Sequence, residues 1–143
     1  MIKQIKYKNE LYAILVNQNF KKKGGINFFT PNNLGLQCGF MKHKKNHSIK
    51  PHSHSKRLSK IFYTTEVLFL LKGKLRVDFY TEKQKYLFSK IIKANSIIIL
   101  IKGGHGFKVI QPIEMLEVKQ GPYNVRRDKI RFTEVDESKV KLK

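Results

Sequence analysis

Hydrophobic and polar residues alternate along several short stretches of the chain, as is typical of β-strands with one buried face. In residues 74–80, apolar side chains at every second position alternate with Lys74, Arg76 and Asp78. Further runs predict strands at residues 11–16, 26–29, 34–43, 64–71, 85–92, 96–101, 107–110 and 113–119, with a further strand through His52 and His54. The run 96–101 is continuously apolar, which suggests burial on both faces. No amphipathic helix of useful length is visible, so the pattern predicts an all-β protein, an antiparallel barrel or sandwich.

Two pairs of these strands are predicted to form hairpins. Gly73 lies between the runs 64–71 and 74–80, where a tight turn would join them. The runs 107–110 and 113–119 are predicted to pair around Gln111 and Pro112.

The alternation leaves the position of Glu117 open. If Ile113 and Met115 face the core, Glu117 faces it too and could line a pocket. If Leu116 and Val118 face the core instead, Glu117 lies on the surface.

The chain of 143 residues suits one domain with one core. We expect a single domain over residues 1–143, with the barrel over about 11–123 and a charged C-terminal tail over 124–143. Ile130 and Phe132 are the tail residues expected to dock on the barrel, and the last residues are expected to be disordered.

Three histidines and one glutamate are the candidate functional residues. His52 and His54 are two apart, so on a strand both side chains leave the same face. Glu66 lies in an apolar strand, where burying a carboxylate is costly unless something pairs with it. His105 is held between glycines, where the backbone can pack closely. Together these four residues offer a complete first coordination shell for a divalent metal.

The first part of this pattern resembles the first motif of the cupin superfamily. That motif has His-x-His, then a glutamate, then six residues and a glycine, and His52, His54, Glu66 and Gly73 match it. The gap between His54 and Glu66 is longer than in the most common cupin form, so residues 55–63 resemble an inserted loop, where Arg57 could border a pocket mouth.

The second cupin motif is matched more loosely. His105 fits it, but Leu100, Lys102 and Val109 replace its usual proline, glycine and asparagine. The resemblance spans residues 34–123, and the segments 104–107 and 117–123 look most like small cupins linked to surface-polysaccharide biosynthesis.

The resemblance implies a jelly-roll barrel, also called a double-stranded β-helix, with a mononuclear metal site of His52, His54, Glu66 and His105. Iron, manganese, nickel or zinc would suit these ligands. The resemblance implies an enzyme of carbohydrate biosynthesis whose metal polarises a bound oxygen, as in the isomerases and oxygenases of this superfamily, or a ligand-binding protein without turnover. A third alternative is a metal-free sugar-nucleotide isomerase or epimerase that uses histidine as its general base.

Charge and cysteine content bear on partners and location. The formal net charge is +20, but the basic residues are scattered lysines, so we expect no specific nucleic-acid partner and an anionic substrate such as a sugar nucleotide. Cys38 is the only cysteine, and its neighbours suggest a small core residue in a reducing, cytoplasmic setting. The apolar runs are too short to span a bilayer, so no membrane partner is expected. A homodimer that pairs through residues 11–16 is expected, because that strand would otherwise be an exposed edge.

Overall fold

Strands dominate the protein, which confirms the all-β prediction. The computed structural model describes residues 1–20, 23–124 and 128–143, so residues 21–22 of the predicted barrel and 125–127 of the predicted tail lie outside it. The described residues contain one 3-10 turn, η1, and no α-helix. The strands and the turn are β1 (Ile2–Tyr7), β2 (Glu10–Val16), β3 (Gly25–Phe28), β4 (Gly39–Lys42), β5 (Glu66–Tyr80), β6 (Tyr86–Lys93), β7 (Ser96–Leu100), β8 (Gly104–Lys119) and η1 (Glu137–Lys139).

The main sheet is antiparallel and has β5 near its centre. The hydrogen-bonded order is β1-β2-β7-β5-β6, and β8 also pairs with β5. Strand β7 pairs with the first part of β5 and β6 with the second part, while β8 pairs along its whole length. Strands β3 and β4 form a separate two-stranded sheet.

The sheet is strongly curled, because the two ends of β5 must lie near each other. Leu100 pairs with Glu66 at one end of β5, and Gly104 pairs with Tyr80 at the other. Four residue steps from Leu100 to Gly104 reach about 14 Å at most. A straight strand of this length would separate its ends by roughly 46 Å. The sheet is therefore a curled half-barrel.

Gly73 is where β5 bends. Its φ of 83° lies in the left-handed region, which favours glycine. A Cβ at this position would lie 1.9 Å from the carbonyl oxygen of Pro112, so the two backbones touch here. The register between β5 and β8 also shifts at this point. Both predicted hairpins are therefore wrong: each is one long strand, bent where Gly73 meets Pro112.

Apolar residues are buried on both faces of the sheet. One face carries a core that includes Leu70, Leu75, Val77 and Phe79, which are at most 1% exposed. The other face is covered by the chain between β2 and β4. Cys38 packs there, as predicted, and burial raises the pKa of its thiol.

Strand β1 covers the side of β2 that was expected to be an exposed edge of the sheet. Its alternation was not recognised in the sequence, yet it pairs with β2, which pairs with β7 on its other side. The prediction that residues 11–16 form an exposed edge is therefore wrong. The homodimer itself stays a prediction, without that edge as its reason.

The end of the chain is held against β6. Leu142 forms a parallel bridge with Ser89, and the Lys143 amide donates to the Ser89 carbonyl at 3.0 Å. The expectation that the last residues are disordered is therefore wrong. Phe132 docks, as predicted, with its ring 5.0 Å from that of Tyr80, whereas Ile130 is 82% exposed.

Candidate functional site

Glu66 and His105 meet on one face of the curled sheet. Glu66 begins β5 on the face that carries Leu68 and Leu70, and His105 pairs with Phe79 on that same core face. The His105 Nε2 atom lies 3.1 Å from Glu66 Oε2. Glu66 is only 6% exposed, so the carboxylate is held in a largely dry setting by its partners.

The hydrogen bond with His105 holds the pKa of Glu66 below its usual value. Burial acts in the opposite direction, and the positive charges of Lys129 and Lys119 lower the pKa further. Lys129 Nζ lies 3.9 Å from Glu66 Oε1. Glu66 is therefore a carboxylate at neutral pH.

The pair lies in the wall of a pocket of about 680 Å³. The turn from β7 to β8 forms one side and the C-terminal segment forms another. Side chains that could contact a ligand there, besides Glu66 and His105, include those of Tyr63, Tyr80, Lys102, Lys129, Arg131 and Phe132. A pocket of this size is in the range of small-molecule sites.

Lys102 braces the rim of the pocket. Its Nζ atom lies 2.7 Å from Glu10 Oε1 and 3.2 Å from Glu82 Oε2, and these contacts raise its pKa. Tyr63 donates to Glu82 at 2.9 Å. These two carboxylates balance the charge of Lys102. The lysine therefore links the start of β2, at Glu10, to the turn after Tyr80, at Glu82.

The other two predicted ligands lie elsewhere. Residues 43–65 contain no strand, so the prediction that His52 and His54 lie on one is wrong. Both are exposed, with ring centroids 5.3 Å apart, and the Nδ1 atom of His52 is 3.0 Å from the Lys50 carbonyl oxygen. Neither lines the pocket around Glu66 and His105.

The structure thus unites two of the four predicted ligands. Within the described residues, no group of three or more His, Cys, Asp or Glu side chains is placed to hold a metal ion. Glu117, which the alternation left open, is exposed, and Arg57 does not line the pocket.

The C-terminal wall of the pocket was missed in the sequence. Docking of Phe132 was expected, but not the place of its neighbours Lys129 and Arg131 beside the histidine and glutamate. The glycine at position 104 was the sequence feature that could have indicated this contact, because a Cβ there would lie 2.8 Å from the Phe132 ring. The glycine pair before His105 therefore makes room for an aromatic side chain as well as for a turn.

Comparison with known proteins yields no match to a family model, to a curated protein or to a solved structure. The resemblance to cupins therefore stays a prediction. The described residues also include no helix long and apolar enough to cross a membrane.

Proposed function

We propose that this chain is a cupin-type enzyme that isomerises or epimerises an anionic carbohydrate, such as a sugar nucleotide, by acid–base catalysis. The observation that carries the proposal is the 3.1 Å contact between His105 and the buried Glu66 in the wall of a pocket. A histidine ordered by a carboxylate is a common general base, because the carboxylate orients the ring and stabilises its protonated form.

The expected chemistry follows from the two ring nitrogens of His105. Nε2 faces Glu66 and donates its hydrogen to the carboxylate, which leaves Nδ1 as the atom that accepts a proton. Nδ1 takes a proton from a carbon next to a carbonyl group of the sugar, which forms an enediolate. In isomerisation the ring returns the proton to the neighbouring carbon while the hydroxyl proton passes to the former carbonyl oxygen. In epimerisation the protonated ring gives its proton to solvent, and water in the open pocket protonates the opposite face of the same carbon. Glu66 is the positioning residue in this scheme.

The proposal includes a jelly-roll barrel, a homodimer and a cytoplasmic enzyme. The curl of β5 and β8 supports the barrel, since it already brings Glu66 and His105 together from strands 39 residues apart in the chain. The exposed length of β8 supports an assembly, because among the described residues that strand pairs with β5 alone, and it carries exposed apolar side chains.

A metal-dependent function is the second candidate, and the same distance favours it. Two ligands bound at about 2.1 Å and roughly 95° to one another would be about 3.1 Å apart. Glu66 and His105 therefore fit two positions of a divalent iron, manganese, nickel or zinc site. A bound metal would supply Lewis-acid polarisation of a substrate oxygen. His52 and His54 as the remaining ligands stay a prediction.

Sugar nucleotides incubated with the protein in deuterated water would test the first candidate. Proton NMR should detect deuterium incorporation or product in the presence of a chelator. The His105→Asn variant should lack this activity, and His43→Asn, an exposed histidine outside the pocket, should retain it. Activity that disappears on chelation and returns with one metal would overturn the acid–base candidate.

Elemental analysis separates the two candidates independently of substrate. The wild-type protein is refolded with each of the four metals and then desalted. Stoichiometric metal that is lost in His105→Ala but kept in His43→Ala would favour the second candidate. If the wild-type protein holds no metal, the second candidate fails.

A further inference from the structure

The C-terminal segment forms a wall of the pocket and is fixed to the sheet at several points. Residues 128–132 and Glu134 line the pocket, while residues 135–143 run along β5 and β6. The segment thus has a part that faces the cavity and a part that only anchors it.

Phe132 is the first anchor. Its ring meets the Tyr80 ring edge-on, with centroids 5.0 Å apart, and fills the space left by the missing side chain of Gly104. The Tyr80 hydroxyl accepts a hydrogen bond from the Val135 amide at 3.0 Å. Tyr80 therefore holds the segment at two successive points.

Arg76 is the second anchor, and it makes four charge-assisted hydrogen bonds. Its guanidinium donates to both oxygens of Glu137, at 2.7 and 3.0 Å, and to both oxygens of Asp78, at 2.8 and 3.1 Å. The side chains of Arg76 and Asp78 are 9% and 6% exposed, so their half of the double fork is shielded from water, whereas Glu137 reaches it from the surface with 60% of its side chain exposed. Paired bidentate contacts of this kind fix orientation as well as distance.

Two cations of the wall lie beside the site. Lys129 reaches to within 3.9 Å of Glu66. Arg131, like Lys129, lines the same pocket. Among the described residues, no carboxylate lies within ion-pair distance of Arg131.

We propose that residues 128–134 are the recognition wall of the site, where Arg131, helped by Lys129, binds a phosphate or diphosphate group of the substrate. Arg76 is a positioning residue that acts through Glu137. The inference rests on the proposed function for its substrate class. An arginine fork matches two phosphate oxygens, and the net charge of +20 draws anions toward the protein.

Binding of uridine diphosphate, measured by calorimetry at low salt, tests the wall. Arg131→Gln should weaken binding by about ten- to a hundredfold, the loss expected for a charge-assisted contact. Lys139→Gln removes an equal charge from the same segment outside the pocket and should stay within about twofold of wild type. Wild-type protein that does not bind the probe, or Arg131→Gln that binds it as well as wild type, would overturn the proposal.

Glu137→Gln tests the anchor. Its probe affinity should fall severalfold while amide exchange over residues 128–143 accelerates, whereas Glu114→Gln, an exposed carboxylate beside Lys72, should change neither. Faster exchange with unchanged affinity would show that the wall does not bind the anion, and no change in either would overturn the role of Arg76. Probe binding and deuterium incorporation are separate measurements, so binding of uridine diphosphate that depends on Arg131 without any catalysed exchange would count against the catalytic proposal alone.

Discussion

The two pairs of predicted ligands lie on different kinds of backbone. Glu66 and His105 are on paired strands, where hydrogen-bond register determines which face each side chain occupies. His52 and His54 are in an exposed segment without strands, where a spacing of two residues has no such consequence. Strand pairing therefore positions two side chains that are 39 residues apart in the chain. The two-residue spacing of His52 and His54 does not position theirs, because no strand contains them.

Charge differs between the same two regions. Residues 11–65 contain ten Lys or Arg residues and no Asp or Glu, whereas nine of the ten acidic residues lie at or beyond Glu66. The cations around His52 and His54 have no nearby carboxylate in sequence, which favours a solvated segment. Lys129, in contrast, comes from the C-terminal segment and lies 3.9 Å from the Glu66 carboxylate.

The largest expected effect is on turnover. His105→Asn should lower the rate by about 10²–10⁴, the usual contribution of a general base. His52→Ala and His54→Ala should each stay within a few-fold of wild type, because their side chains do not reach the pocket. The measurement is the initial rate on whichever sugar nucleotide reacts. An equally large loss of rate in His52→Ala would mean that His52 acts in the site, and the difference drawn between the two pairs of residues would be wrong.

The next effect is on folding. Gly73→Ala should destabilise the protein by about 3 kcal/mol or more, since it combines a left-handed φ with a Cβ that overlaps the Pro112 carbonyl. Gly35→Ala is the matched control in the irregular region, where the nearest atom to a new Cβ is 3.8 Å away. Urea unfolding monitored by circular dichroism gives both values. Similar losses in the two variants would mean that Gly73 is not a required bend.

Much of the strand pattern could be predicted from the sequence. The runs at 11–16, 85–92 and 96–101 coincide closely with β2, β6 and β7, because a short apolar run bounded by turn residues is a local property of the chain. The hairpin at Gly73 could not be judged locally. A glycine with positive φ suits both a tight turn and a bend, and the partner that decides between them is Pro112, far along the chain.

The candidate site was predictable only in part, for a similar reason. Glu66 was conspicuous as a carboxylate in an apolar strand, and His105 as a histidine between glycines. Lys129 and Arg131 could not be recognised as site residues from the sequence, because basic residues are common throughout this chain. Their place follows from Phe132 and Glu137, whose partners Gly104 and Arg76 are remote in sequence.

The smallest expected effect is on how the unfolding free energy depends on pH, and it comes from Glu66 and its partner His105. Because His105 and nearby lysines lower the pKa of folded Glu66 below its unfolded value, ionised Glu66 stabilises the fold above the unfolded pKa of about 4.3. That stability is lost as pH falls through the lower, folded pKa. The difference in unfolding free energy between wild type and Glu66→Gln should therefore shrink on acidification from about pH 5 to pH 3. Glu117→Gln, which removes an exposed carboxylate, is the control and should show a flatter difference. A difference that grows on acidification would mean that Glu66 is held protonated, and the acid–base proposal would lose its positioning carboxylate.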